Sequence, residues 1–333
     1  MRRAWQLVAL VIAVAALSPP VQAYLKIGVT ANGQVVALRW AQVPIRYFLT
    51  DAGVPGVTAS QFREAVGRAF QTWHAVPSAA VDFSFVGFTG AEPGDQDNAS
   101  TLGFSYRPDL ERTLAVTSYL VDTRTGEMLE SDIFFNSSFS WSVADAGEAG
   151  KYDVQSLATH EIGHFIGLGH SAIGETTLDS GGHHRLIAAG TVMFPIAFAA
   201  GDISMRRLRA DDIAGVSDLY PAGTFRAATG TLQGTVTKDG KGVFGAHVTA
   251  FSLSTGALVG GFSLDSSGAF AIAGLSPGSY IVRVEPLDDG DITSYFDAGG
   301  DVDTDFRVTY YAHILTVPAG GGAAPVSIAV TAK

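Results

Sequence analysis

Apolar residues follow a helical period in one stretch of the chain and a strand-like pattern in several others. Phe62, Val66, Phe70 and Trp73 are three or four positions apart, so a helix through them carries one continuous apolar face. Segments rich in β-branched and aromatic residues predict the strands 45–49, 81–88, 114–121 and 131–135. Helix and strands together predict an α+β fold for this part of the chain.

The hydrophobic pattern changes near residue 230. Short β segments now follow one another, separated by turns such as Ser276-Pro277-Gly278, and they cover 232–237, 246–253, 269–272 and 280–284. This pattern predicts an antiparallel all-β sandwich over 230–333. A linker over 223–229 would join it to an α+β domain over 42–222.

The first forty residues are predicted to contain an export signal and a short arm. A basic start (1–3), an apolar run too short for a comfortable membrane span (7–17) and a small-residue cleavage site predict a signal peptide over 1–23. Two prolines directly after the apolar run disfavour the alternative, an uncleaved membrane anchor. Residues 24–41 predict a small hairpin or an extended arm. We expect secretion to the cell exterior, or to a bacterial periplasm or cell surface, without stable membrane association.

Composition narrows the class of protein. The 333 residues suggest two domains, and a hydrophobic content of 47% is ample for packed cores. The formal net charge of -11 argues against a nucleic-acid partner, because phosphate backbones require clustered Lys and Arg. The chain has no cysteine, so disulfides and thiolate metal sites are excluded. We expect a monomer.

One stretch carries the chemistry. His160 and His164 are four residues apart, so on a helix their imidazoles lie on one face within reach of a single cation. Gly167 lets the chain turn sharply, so that His170 can supply a third ligand and leave a fourth zinc position for water. Glu161 is then placed to act as general base on that water, which predicts peptide-bond hydrolysis.

A structural interpretation competes with this one. A lone histidine is more often a buried, hydrogen-bonded core residue than a metal ligand. Three histidines at this spacing, with a glutamate and a glycine in place, favour the metal site because the long pattern rarely arises by chance.

These residues form HExxHxxGxxH, the metzincin signature. Two further stretches resemble the matrixin family: 168–171 is similar to its ending of the zinc motif, and 191–195 to its methionine turn, with Met193 under the metal. The segment 209–220 resembles the closing matrixin helix. The resemblance covers about 42–221 and implies a twisted mixed sheet with three helices, one catalytic zinc and a protein or peptide substrate.

The resemblance also implies a cleft and its walls. The strand 132–136, with Phe134, would border the cleft and offer an edge to an extended peptide, while Pro195 would border the pocket beside the scissile bond. The sequence departs from the matrixin pattern at three places. The chain has no cysteine, so the cysteine-switch latency that many matrixins use is impossible. Matrixins usually have an aromatic residue two positions after the proline of the methionine turn; here Ala197 stands at that position, and Phe198 would form the pocket wall instead. No histidine lies between His74 and His160, which disfavours a structural zinc.

Three other groups of residues have two interpretations each. The oxygens of loop 92–98, and the aspartates between 288 and 305, are candidate Ca²⁺ ligands or ordinary solvated acidic surface. His183 and His184 either contact substrate or a second metal, or belong to an exposed glycine-rich loop, which we favour because adjacent residues do not share a face.

The segment 230–333 resembles carboxypeptidase-regulatory-like, or transthyretin-like, modules through 234–236, 245–248, 265–270 and 274–280. Nothing catalytic is visible there. The leading hypothesis is therefore a secreted zinc endopeptidase. The alternative is a catalytically silent adhesion or matrix-binding protein that acts through its C-terminal sandwich, and a third hypothesis is self-inhibition by the N-terminal arm. The intact Glu161 disfavours the silent scaffold.

Overall fold

The computed structural model describes residues 26–31, 34–196, 199–296 and 301–333. The predicted signal peptide lies outside these ranges, as do Asn32 and Gly33 of the predicted arm, and Ala197 and Phe198. Within the described ranges the α-helices are α1 Ala59–His74, α2 Val154–Phe165, α3 Ala210–Leu219 and α4 Phe225–Ala228. Strands outnumber helices, and the α+β prediction is confirmed.

The N-terminal arm holds two short strands, β1 Gly28–Ala31 and β2 Gln34–Ala37, which pair antiparallel. The backbone N–H of Ile27 donates to the carbonyl of Gly167 at 3.0 Å, directly after the zinc-motif helix. Val29 and Leu38 pack with Met128 in a small buried cluster of their own. The arm is therefore attached to the body of the protein beside the predicted metal motif.

The central sheet has the order β4-β3-β5-β7-β6. Its strands are β3 Ile45–Thr50, β4 Phe83–Thr89, β5 Thr101–Ser105, β6 Ala115–Asp122 and β7 Glu127–Asn136. The pairings β3/β4, β3/β5 and β5/β7 are parallel, and β6 runs antiparallel to β7. A mixed sheet results, in agreement with the prediction.

The topology corrects one expectation. The strand 132–136 lies within β7, which pairs with β5 on one side and β6 on the other, so it has no free edge. The free edge on this side of the sheet belongs to β6. The sequence pattern could not distinguish the two, because both strands are β-rich and only long-range pairing decides which one ends the sheet.

Helix α1 forms where the periodicity predicts it. The side chain of Thr58 caps its first turn, and Gln61 completes a capping box. Phe62, Val66 and Phe70 are buried on the face that packs against the sheet. The indole N–H of Trp73 donates to the carbonyl of Thr159 at 2.8 Å, which fixes α1 against α2.

Helix α2 begins at an N-cap residue and is followed by a glycine turn. Two short parallel strands, β8 Trp141–Ser142 and β9 Tyr152–Asp153, lead into it. Asp153 accepts the N–H of Ser156 at 2.7 Å, as an N-cap does. Gly167 has φ of 97°, and a side chain there would begin 2.2 Å from the carbonyl oxygen of Leu38, so only glycine fits this turn.

The long segment between His170 and Met193, expected as a loop, contains a hairpin of β10 Gly174–Leu178 and β11 His184–Ala189.

Residues 230–333 form two further sheets. The strands are β12 Gly230–Lys238, β13 Lys241–Gly242, β14 His247–Ser252, β15 Leu258–Phe262, β16 Ala269–Leu275, β17 Gly278–Glu285, β18 Thr309–Tyr310, β19 Leu315–Val317 and β20 Val326–Val330.

The sheet β13-β12-β16 also holds β20, and the sheet β15-β14-β17-β18 also holds β19. The antiparallel prediction is met except at β20, which runs parallel to β12. Buried residues of both sheets belong to the same apolar cluster as the central sheet. The sandwich itself stays a prediction. Among the described residues no helix is long and apolar enough to cross a membrane.

The C-terminal sheets contact the preceding region through α3. The carboxylate of Asp211 accepts the backbone N–H of Gly260, on β15, at 2.8 Å. A side chain at Gly274, on β16, would begin 3.1 Å from the Cβ atom of Ala214. Through these contacts the C-terminal region packs against α3, which lies in the same part of the chain as the histidine motif.

Candidate metal centre

Three histidines converge at the C-terminal half of α2. His160 and His164 lie one turn apart on the helix, and the turn at Gly167 brings His170 back to them. One ring nitrogen of each lies within 4.8 Å of those of the other two. The Nε2 atoms of His164 and His170 are 3.1 Å apart. The spacing of the motif predicts this convergence.

Backbone carbonyls fix the orientation of all three rings. The Nδ1 atom of His160 lies 2.7 Å from the carbonyl oxygen of Val192, and that of His164 lies 2.8 Å from the oxygen of Leu168. The Nδ1 atom of His170 lies 2.6 Å from the oxygen of Ser294. A carbonyl only accepts hydrogen bonds, so each Nδ1 carries the proton and each Nε2 keeps a free lone pair.

The three imidazoles are held in the neutral form that metal ligands require. Burial lowers the pKa of His160, and burial lowers the pKa of His170 to about 3. The pKa of His164 lies well below its usual range through burial first and the two neighbouring imidazoles second. Neutral imidazoles are the form that binds a metal.

This donor set fits a zinc ion. Two nitrogen ligands at tetrahedral angles around one zinc are about 3.4 Å apart, close to the observed separation of the His164 and His170 nitrogens. Three imidazoles leave one coordination position open, as catalytic zinc sites do. Among the described residues no other group of three or more His, Asp or Glu side chains converges in this way.

A buried carboxylate shares a cavity with the three histidines. It belongs to Glu161, which follows His160 on α2. Its Oε2 atom accepts the hydroxyl of Thr117, on the free edge strand β6, at 2.6 Å. Burial raises the pKa of Glu161 to about 7, against the opposing effect of the Thr117 hydrogen bond. Sequence reasoning missed Thr117, because nothing local links it to the motif.

Met193 lies beneath the histidine helix. A side chain at Gly163 would begin 2.1 Å from its sulfur atom, so Gly163 and Met193 are in close contact. The turn that carries Met193 is held by Asp212, whose carboxylate accepts the N–H groups of Val192, Met193 and Arg209 and the hydroxyl of Thr191. Sequence reasoning missed this role, because Asp212 lies 19 residues beyond Met193.

The histidines and Glu161 open into a cavity of about 540 Å³. Pro195 lines it, together with β6 and the arm residues 26–30. Phe134 does not line it; the guanidinium of Arg107 lies 5.4 Å from the centre of its ring instead. The segment 293–296 of the C-terminal region completes one wall.

The sequence model of the matrixin family of peptidases matches residues 39–221, which is more than half of the chain and includes the three histidines, Glu161, Thr117 and Met193. The chain belongs to the matrixin family. Matrixins are zinc-dependent, so the metal that this triad would hold is zinc.

Individual matches are partial. Human matrix metalloproteinase-16 is 27% identical over 136 residues, which are 40% of this matrixin and 22% of the human protein. The chain therefore matches about a fifth of that relative's length. A crystal structure of GBS52, the minor pilin of Streptococcus agalactiae, is matched over 32% of this chain and 45% of that one at 16% identity. Its TM-score is 0.21, too low to support an inference about fold.

The remaining predicted ligands of this matrixin lie elsewhere. His183 is half exposed and sits 3.4 Å from Asp179 in the β10/β11 hairpin, while His184 contacts the hydroxyl of Thr176 at 2.9 Å. Neither belongs to the histidine triad; His184 begins strand β11, so it does not lie in the expected loop.

The acidic groups considered for Ca²⁺ have protein partners. Asp132 accepts the N–H groups of Gly94 and Thr101, each at 2.7 Å, and thereby anchors the loop 92–98. Near the C-terminus, Asp288 pairs with Lys333 at 2.9 Å. The two Ca²⁺ sites stay predictions, and Asp297 lies outside the described residues.

Proposed function

We propose that this matrixin is a zinc-dependent endopeptidase that hydrolyses peptide bonds in proteins. The observation that carries the proposal is the convergence of three carbonyl-oriented imidazoles beside the carboxylate of Glu161 on the wall of one cleft. When bound, zinc supplies a Lewis acid that polarises a carbonyl and acidifies a water molecule.

Glu161 moves the proton. Its carboxylate accepts a proton from the attacking water and then delivers it to the leaving amine nitrogen. The hydrogen bond from Thr117 fixes one carboxylate oxygen, so the second is left to face the reacting groups. Burial keeps bulk water from competing for the same proton.

The substrate backbone would pair with β6. This strand provides the free edge next to the centre, and its residues 115–117 line the cavity. An extended peptide added as a further strand would present its scissile carbonyl to the histidine face, while pockets such as the one beside Pro195 accept side chains. This role replaces the one expected for Phe134.

Cleavage of casein by the purified full chain tests the proposal. We expect cleavage that stops with a zinc chelator and returns with added zinc. Glu161→Gln should keep zinc yet lose activity by about 10²- to 10⁴-fold, the usual contribution of general acid–base catalysis. Glu64→Gln, at an exposed glutamate of α1, is the matched control and should retain full activity. An active Glu161→Gln enzyme would refute the assigned base.

The alternative of a silent adhesion protein predicts zinc binding without cleavage. An intact Glu161 that lines the same cavity as the triad has no use in such a scaffold, so no observation favours it. The division into domains at 42–222 and 230–333, the export signal and the monomeric state stay predictions.

A further inference from the structure

The three carbonyls that orient the histidines differ in origin. Leu168 lies four residues after His164, and Val192 lies in the methionine turn, so both belong to the segment that the matrixin family model covers. Ser294 is 124 residues beyond His170 and belongs to the C-terminal region. Its hydrogen bond is the shortest of the three, at 2.6 Å.

The segment that carries Ser294 is a tight turn with its own hydrogen bonds. Residues Ile292–Ser294 form a single 3-10 turn. The N–H of Ser294 donates to the carbonyl of Asp291 at 2.8 Å, and the N–H of Tyr295 donates to that of Ile292 at 2.9 Å. The peptide groups around the Ser294 carbonyl are therefore held in one orientation.

Two aromatic side chains anchor this turn. Tyr295 and Phe296 are buried, 4% and 8% exposed, in a cluster with Phe262 of β15. The rings of Phe262 and Phe296 meet edge to face at 5.6 Å, and Phe244 lies 5.2 Å from Phe296 on another side. Ala172, two residues after the third histidine, belongs to the same cluster.

Tyr295 and Phe296 thus pack close to His170. The ring of Tyr295 lies 6.4 Å from that of His170, and residues 293–296 line the cavity that holds the triad. A shift of Phe296 in its socket would move the Ser294 carbonyl, because only one residue separates them.

We propose that the C-terminal region is a working part of the metal centre, with the carbonyl of Ser294 as the group that positions His170 for zinc. This inference rests on the proposed function only for the identity of the metal. Partners of this kind set ring orientation and ligand basicity, and their loss typically costs about 10- to 100-fold in metal affinity.

A carbonyl cannot be removed by mutation, so the test loosens its anchor. In the full zinc-loaded chain, Phe296→Ala should release zinc to a competing chelator about tenfold faster than the wild type. Phe306→Ala is the matched control, because Phe306 is fully buried in the C-terminal region and is absent from both the Phe296 cluster and the cavity lining. It should lower stability similarly but leave the rate of zinc release unchanged.

A spectroscopic readout separates positioning from general loss of stability. With Co²⁺ in place of zinc, Phe296→Ala should change the visible absorption bands of the bound ion, and Phe306→Ala should not. Phe296→Leu keeps most of the packed volume and should show a smaller change of the same kind if the alanine variant does not fold.

Equal zinc release by Phe296→Ala and the wild type, or equal acceleration by both alanine variants, would overturn the inference. Casein cleavage reports separately on the proposed function. If the wild type retains zinc but does not cleave, the peptidase assignment fails while the positioning result stands; if the wild type does not bind zinc, both fail.

Discussion

Two adjacent aspartates at the start of α3 should respond in opposite directions to the same substitution. In Asp212, Oδ2 accepts the N–H groups of Arg209 at 2.7 Å and Val192 at 2.9 Å. Asparagine places an NH₂ group at one carboxylate position. If its oxygen takes the place of Oδ1, the NH₂ group faces two donors and the N–H of Arg209 loses its partner.

The size of this effect follows from the hydrogen bonds. Leaving one buried donor unpaired costs about 1–3 kcal/mol, and weakening the remaining charged hydrogen bonds adds to it. We expect Asp212→Asn to lose about 2–4 kcal/mol of unfolding free energy, out of the 5–15 kcal/mol typical of a domain. Because Val192 also holds His160, zinc release should accelerate as well.

Burial raises the pKa of both aspartates, but their hydrogen bonds differ. Asp212 accepts three backbone N–H groups and a hydroxyl, whereas Asp211 accepts one backbone N–H and bonds to the side chain of Ser171. Asp211 therefore loses less when its charge is removed. It is buried, and burial raises its pKa from 3.8 to about 6. Asparagine can still accept the N–H of Gly260. At about 1.36 kcal/mol per pKa unit, Asp211→Asn should stabilise the protein by up to about 3 kcal/mol above pH 7.

The sign of the pH dependence follows from proton binding. The folded state binds this proton more tightly than the unfolded state, so the Asp211 carboxyl favours folding below pH 4 and this contribution is lost as pH rises through about 6. The advantage of Asp211→Asn should therefore shrink between pH 7 and pH 4. Differences between variants cancel the titration of groups common to both, including the histidines.

Urea unfolding of the zinc-loaded wild type and both variants, at pH 8 and pH 5, measures these free energies. The reasoning is refuted if both substitutions shift stability in the same direction by similar amounts at pH 8. It also fails if the effect of Asp211→Asn does not depend on pH.

Three further changes have defined outcomes. Gly163→Ala should lose up to about 2 kcal/mol of unfolding free energy in urea, because overpacking against the sulfur of Met193 costs about 1–3 kcal/mol and the better helix propensity of alanine returns about 1 kcal/mol. Tyr220→Phe should lose about 1–3 kcal/mol, measured by thermal unfolding, because the Tyr220 hydroxyl pairs with the N–H of Trp40 and the carbonyl of Ile166; unchanged stability would contradict this. Added zinc at a thousandfold excess over its dissociation constant should stabilise the wild type by about 4 kcal/mol and leave His164→Ala unshifted, as calorimetry would show.

Local features of this matrixin were predictable because their causes are local. The spacing of Phe62, Val66, Phe70 and Trp73 fixes a helix face, and α1 forms there. The four-residue spacing of His160 and His164 places both rings on one side of α2 by helix geometry alone. Asp153 caps α2 through an equally local cause, because a cap needs only the first turn that follows it.

The partners of the site were not predictable. Sequence reasoning assigned the free sheet edge to the strand of Phe134, whereas β6 provides it, and it had no means to find Thr117 beside Glu161. The two-residue pattern of a strand identifies its faces but not its neighbours, and those depend on which distant strands pair. The hairpin β10/β11 was likewise hidden in a segment with no apolar alternation.

The sequence by itself determined which residues are the candidate ligands and base, because the motif is a short run whose geometry follows from one helix and one glycine turn. Only the tertiary structure decided how each imidazole is oriented, since the carbonyls that hold the rings come from Leu168 nearby, Val192 across a hairpin and Ser294 in the C-terminal region. A backbone carbonyl is present at every residue, so no sequence pattern marks the one that the fold brings to a ligand.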